Sequence, residues 1–209
     1  MSDPEAILRK VAEYYAAKLE AHGPTSQGVD WNSAASHELR HRQFLRLLDG
    51  SPDASVLDLG CGYGDFFRFL RSTGHCGRFV GYDVVPEMIA KARQMHGETA
   101  DRGWRIGDEP AETLDFAVAS GVFNVKGDVP NERWAHYVNA TIDVLARAGR
   151  RGFAFNLLSL ASDPERRRKD LYYADAGAML TYCLARFGRR VALLHDYGLY
   201  EFTVIVRHH

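Results

Sequence analysis

Three glycines on alternate positions, Gly60, Gly62 and Gly64, follow the apolar run in "SVLDLGCGYGDF", residues 55–66. Glycine gives up more backbone freedom on folding than any other residue, so such a cluster marks torsions or close approaches that a side chain would forbid. A ligand lying against this backbone is one reading of the spacing, and a tight turn is the other. Downstream, "RFVGYDVVPEM" carries a second apolar run that ends in the acid Asp83. An acid at that strand tip is placed to accept hydrogen bonds from ribose hydroxyls. Loop and acid together read as a nucleoside site, with a helix-capping role for Asp83 as the competing reading.

These groups need a scaffold that brings strand ends together. From Ala54 onward the pattern alternates, with strands expected at residues 55–59, 78–82, 104–106, 114–119 and 152–158. Helical stretches open near Asp65, Pro86 and Pro130, and Trp134, Val138, Ile142 and Leu145 line one stripe of the third. A further helix is expected at residues 174–187, then strands at 190–195 and 200–206 joined by a turn at Gly198. Alternation of this kind argues for a parallel sheet with helices on both faces. The short last turn requires an antiparallel pair. Before this region, Ile7, Leu8, Val11, Tyr15 and Leu19 share one helix face. The link "GPTSQGVDWN" leads to a second helix, which Ser33 or Asn32 can cap. Residues 1–50 are expected to form a helical appendage or lid, and residues 51–209 the cofactor-binding domain.

The dinucleotide fingerprint is GxGxxG, whereas this loop reads GxGxG after Asp58. Here the sequence resembles the class I S-adenosylmethionine-dependent methyltransferases, whose first motif has the form "VLDLGCGxG". The resemblance runs from about Ala54 to the end of the chain. It implies an α/β, Rossmann-like three-layer sandwich: a mostly parallel seven-stranded sheet with an antiparallel last strand, plus the N-terminal helices. S-adenosylmethionine is the cofactor it implies. Gly60 and Gly62, with Cys61 between them, would approach the methionine part, and Asp58 would hold its amino group. Asp83, followed by Val84, would take the ribose hydroxyls, and Asp108 the adenine amino group, with Glu109 able to compete. Ser120, Gly121 and the residues to Asn124 would lie beside the reactive methyl. The stretches "HGPTSQGVDWNS" and "LLHDYGLYEFTVIV" are similar to segments of bacterial type 11/12-like small-molecule methyltransferases.

Outside the cofactor motifs, expected substrate contacts are Trp31, Asn32, Phe123, Asn124, Asn156, Tyr173 and Tyr197. Trp31 is read either as lid or as packing. His195 and Tyr200, near the last turn, are candidate catalytic groups, His195 for its suitable intrinsic pKa; ordinary packing is the alternative for Tyr200. The basic run Arg166 to Lys169 reads as a substrate loop or as a solvated helix face.

Composition narrows the partners. Lys and Arg number 26 against 27 Asp and Glu, a formal net charge of −1, which argues against a chain built to grip nucleic acid. The 3 cysteines form no CxxC pair, so reduced thiols in a cytoplasmic protein are expected, with no metal. No apolar run reaches membrane-spanning length. The expected partner is a small molecule, with no nucleic acid or membrane, acted on by a monomer or homodimer. The alternatives are a methyltransferase acting on protein or RNA, and a non-catalytic S-adenosylmethionine-binding protein.

Overall fold

A computed structural model of the chain describes residues 3–30 and 33–208. The elements in chain order are α1 (Asp3–His22), a 3₁₀ turn (Gln27–Val29), α2 (Ala34–Leu48), β1 (Val56–Leu59), α3 (Asp65–Ser72), β2 (Phe79–Asp83) and α4 (Pro86–His96). There follow β3 (Arg102–Ile106), β4 (Leu114–Ala119), α5 (Asn131–Ala148), β5 (Gly149–Ser159), β6 (Tyr173–Ala174), α6 (Ala176–Phe187), β7 (Val191–Leu194) and β8 (Glu201–Arg207).

The sheet runs β3-β2-β1-β4-β5-β8-β7, with β6 paired to β5 off this path. β8 is antiparallel to both of its neighbours, and the other pairs are parallel. The seven-stranded expectation thus gains one short strand. β4 stops opposite Phe155, which leaves the end of β5 unpaired on that side, and β6 pairs there with Leu158 and Ser159. An exposed strand edge presents unmet hydrogen-bonding groups, so a two-residue strand suffices to cover it.

Every residue of β1 is buried, as a parallel strand covered on both faces requires. Alternate residues feed opposite cores. Leu57 and Leu59 join α5 and α6 in one cluster, while Val56 joins α2, α3 and α4 in the other. Phe44 and Leu47 of α2 are fully buried in this second cluster, so α2 forms part of a sandwich layer. Ser33 caps α2 through a bond from the Ser36 amide, as its side-chain type leads one to expect. No helix among the described residues is long and apolar enough to cross a membrane.

Candidate active site

The C-terminal ends of β1, β2 and β4 surround a cleft of about 240 Å³. Leu59, Gly60, Gly62, Asp83 and Val84 line one side, and Ser120, Gly121 and Val122 another. Leu8, Val11 and Tyr15 of α1, with Val29 of the 3₁₀ turn, cover it, and Tyr137 and Thr141 of α5 close the remaining wall. Asp108 and Glu109 stand together at the end of the cleft beyond β3.

Gly60 shows why the loop needs glycine. Its φ is +76°, and an added Cβ would lie 2.1 Å from Val122 Cγ1. The loop amides turn inward: those of Gly60 and Cys61 donate to the Tyr82 carbonyl at 2.7 and 2.9 Å, and that of Gly64 donates to Cys61 O at 3.0 Å. The Gly62 amide donates to Asp83 Oδ2 at 2.8 Å, and the Val85 amide to Asp83 Oδ1 at 2.9 Å. These amides are therefore not fanned out toward a diphosphate, as a dinucleotide loop's would be. Among the described residues no Lys or Arg lines the cleft. It suits an uncharged nucleoside with a cationic centre better than a phosphate chain.

Burial raises the Asp83 carboxyl to about 6, although the amides of Val85 and Gly62 pull it back down. Asp58 is buried, and burial together with the neighbouring Asp83 charge raises it to about 8. Its Oδ1 has no hydrogen-bond partner, and neither does Ser120 Oγ. Both residues line a small pit of about 40 Å³ that shares Gly60 and Gly62 with the main cleft. An orphaned carboxylate oxygen beside the glycine loop is what an ammonium group of a ligand would satisfy. The residues present thus fit S-adenosylmethionine: Asp83 would be placed for the ribose, Asp108 or Glu109 for the adenine, and Asp58 for the amino group. Cys61 is buried, with burial pushing its thiol well up, so it is packing rather than a nucleophile.

A third cavity, of about 270 Å³, adjoins the cleft and shares Tyr15 and Val29 with it. Its polar lining includes Arg40, Asn124, Arg166, Arg168, Tyr173 and Tyr200. Asn124 is buried and its Oδ1 lacks a partner. Tyr200 Oη donates to Asp163 at the mouth. Half of the basic run therefore reaches a cavity, and its groups are anchored: Arg168 pairs with Asp170 and Asp30, and Arg166 with Asp163. The run begins on the last residue of a 3₁₀ turn, Pro164–Arg166, and is not an α-helix face.

Several expected contacts are placed elsewhere. Phe123 is fully buried between the rings of Tyr137 and Phe155, so its side chain cannot reach a ligand. Asn156 is also buried, one layer behind the cleft, where its Oδ1 accepts from the Gly121 amide at 2.8 Å. Its Nδ2 donates to Glu201 Oε1 at 3.0 Å. Tyr197 donates to the same Oε1 at 3.3 Å and lies 3.0 Å from Thr203 Oγ1, again behind the site. His195 is exposed, edge-on to Phe202, and lines none of these cavities. The reason is lateral: β7 stands three strands from β4 in the sheet order, about 14 Å at about 4.8 Å per strand. Trp31 and Asn32 lie outside the described residues.

Sequence reasoning placed Glu201 at the ligand-side edge with His195, Asp196, Tyr197 and Tyr200 but missed Arg40 and the pairing of the two. Arg40 Nε donates to Glu201 Oε2 at 2.6 Å, both residues are buried, and they are separated by 161 positions. The apolar face of α1 was visible as periodicity, but its partner was not.

Residues 31–176 match the methyltransferase domain family. Rv1506c of Mycobacterium tuberculosis, which carries a methyltransferase name, is 41% identical over 163 residues, covering 78% of this chain and 98% of that one. Nodulation protein S of Sinorhizobium fredii is 31% identical over 150 residues, covering 69% and 67%. In three dimensions the chain is similar to the N-methyltransferase NodS of Bradyrhizobium japonicum WM9 in complex with S-adenosyl-L-homocysteine. That match has a TM-score of 0.66 at 20% identity, covering 94% and 97% of the two chains. With the inward-turned glycine loop, the acid at the end of β2 and this family match, the chain belongs to the class I S-adenosylmethionine-dependent methyltransferases.

Proposed function

We propose that the chain methylates a nitrogen, hydroxyl or carboxylate of a small molecule held in the Asn124–Tyr200 cavity. The observation that carries this reading is that cavity's position and size. At about 270 Å³ it is a small-molecule volume, and it meets the cofactor cleft at Tyr15 and Val29. A sulfonium bound in the cleft supplies an activated methyl group. The chain's own task is then to hold a nucleophile in line with it and to exclude water, effects worth several kcal/mol.

Asn124 supports the assignment. It carries an unpartnered Oδ1 and stands two residues beyond Val122, the last of the β4-end residues Ser120 to Val122 that line the cleft. A carbonyl there accepts the N–H or O–H of a nucleophile and so turns the lone pair toward the methyl. The Tyr200–Asp163 pair at the mouth offers a carboxylate that can take up a proton. α1 and the 3₁₀ turn act as the cover over the cleft. The names of two matches, one called an N-methyltransferase and one Nocamycin O-methyltransferase, are consistent with a small substrate.

Incubation with methyl-labelled S-adenosylmethionine and fractionated cell extract tests the reading. Label is expected in the small-molecule fraction, and Asn124→Ala should lower transfer by about 100-fold through misorientation alone. Affinity for S-adenosylhomocysteine should stay the same in that variant. Label that enters RNA or protein, or full transfer by Asn124→Ala, would overturn it.

A further inference from the structure

Two imidazoles and a carboxylate meet at the edge of the pit beside the cofactor cleft. His37 and His41 stand one turn apart on α2 and therefore share a face. Asp65 opens α3, the helix that continues the glycine loop. His37 Nδ1 lies 3.3 Å from Asp65 Oδ2, and His41 Nδ1 lies 3.9 Å from the same oxygen. One donor atom from each of the three residues lies within 4.8 Å of the other two.

We infer that His37, His41 and Asp65 form a binding site for a divalent transition-metal ion of the zinc class.

The second observation is an unmet nitrogen. His41 is 2% exposed, yet its Nδ1 makes no hydrogen bond. Burying a polar atom without a partner is unfavourable, and such atoms in folded proteins call for an explanation. The ring is held by packing against Phe66 and Phe69, with centroids 5.1 and 5.4 Å away, so the nitrogen stays directed at Asp65. A cation between them satisfies both groups.

The surrounding charges permit this. Arg68 Nε donates to Asp65 Oδ1 at 2.7 Å, which leaves Oδ2 to the imidazoles. Arg40 is turned away, with Nε on Glu201 and Nη1 on the Ser36 carbonyl. Two imidazole nitrogens and one carboxylate oxygen suit zinc and its first-row neighbours, whereas calcium and magnesium prefer oxygen-rich sites. With three protein ligands, a further position opens into the pit, whose volume of about 40 Å³ has room for a water. The ion would tie α2 to α3 and so stiffen the wall that carries Gly62 and Gly64. The sequence reading, which weighed only cysteine spacing, expected no metal.

Cobalt titration of the chelator-stripped full chain tests this. One Co²⁺ per chain should bind with the visible absorption of a four- or five-coordinate site, and Zn²⁺ should displace it and raise the melting temperature. Loss of an outer partner of a metal ligand already lowers affinity roughly 10–100-fold, so His41→Phe should lower Co²⁺ affinity at least about 100-fold. Asp65→Asn, which keeps the side-chain shape, should do the same, with circular dichroism confirming that both variants are folded. His136→Ala, altering an exposed histidine of α5, should titrate like the wild type. Absence of cobalt absorption at one equivalent, or wild-type titration by folded His41→Phe and Asp65→Asn, would overturn the assignment.

Discussion

Asp83→Ala is expected to weaken S-adenosylhomocysteine binding by roughly 10- to 150-fold, the equivalent of about 1.5–3 kcal/mol for a lost charge-assisted hydrogen bond. The carboxylate has two tasks. It lines the cleft, where we propose that it accepts from the ribose, and it fixes the Gly62 and Val85 amides at 2.8 and 2.9 Å. The variant therefore loses a ligand contact and a brace of the loop together. Calorimetric titration measures the loss, and unchanged affinity would remove Asp83 from the site. The wild type should also show a pH signature. Burial raises its carboxyl from an ordinary 3.8 to about 6. Binding uses the ionised form, so affinity should be full well above pH 6 and fall as the pH drops through about 6. For folding the sign is opposite. A raised folded-state pKa contributes stability that is fully present below the ordinary value of 3.8 and is lost as the pH rises through about 6. Cofactor binding should thus fail on acidification even as protonation of this group adds to the stability of the fold.

Glu201→Ala should destabilise the chain by about 3–5 kcal/mol, the usual effect of stranding one member of a buried ion pair. Arg40 is 7% exposed and Glu201 1%, so water cannot replace the missing carboxylate. The same change frees Asn156, whose other end holds the Gly121 amide at the cleft. Denaturant unfolding of the single variant and of Arg40→Met combined with Glu201→Leu separates pairing from packing. The double variant should recover most of the stability, because apolar replacements of similar volume commonly match a buried pair. It should still turn over slowly, since the guanidinium is gone from the lining of the proposed substrate cavity. A loss under about 1 kcal/mol in Glu201→Ala, the range of an exposed pair, would contradict this account.

The glycine loop and the strand-end acid of the cleft were legible because their requirements are local. Gly60 needs a positive φ and no Cβ, and Asp83 needs only to end its strand. Both demands leave a mark within a few residues. The cavity beside the cleft depends on which strand ends stand side by side, and there local reading ran out. His195 does follow the end of a strand on the ligand side, but nothing nearby in sequence says that β8 and β5 intervene between β7 and β4. The Arg40–Glu201 pair leaves no local pattern at all. β6 was invisible for a different reason: two residues carry no periodicity, and the strand exists because β5 outruns β4. The layer role of α2 was hidden in the same way, since Phe44 and Leu47 show an apolar face without naming what it packs on.

Isothermal titration of the full chain with S-adenosylhomocysteine, run beside NAD, tests the central claim most directly. The inward-turned loop amides, the ribose acid and the cation-free lining predict saturable binding of S-adenosylhomocysteine at one site per chain and no heat of binding from NAD. Binding of NAD without S-adenosylhomocysteine, or of neither, would contradict it.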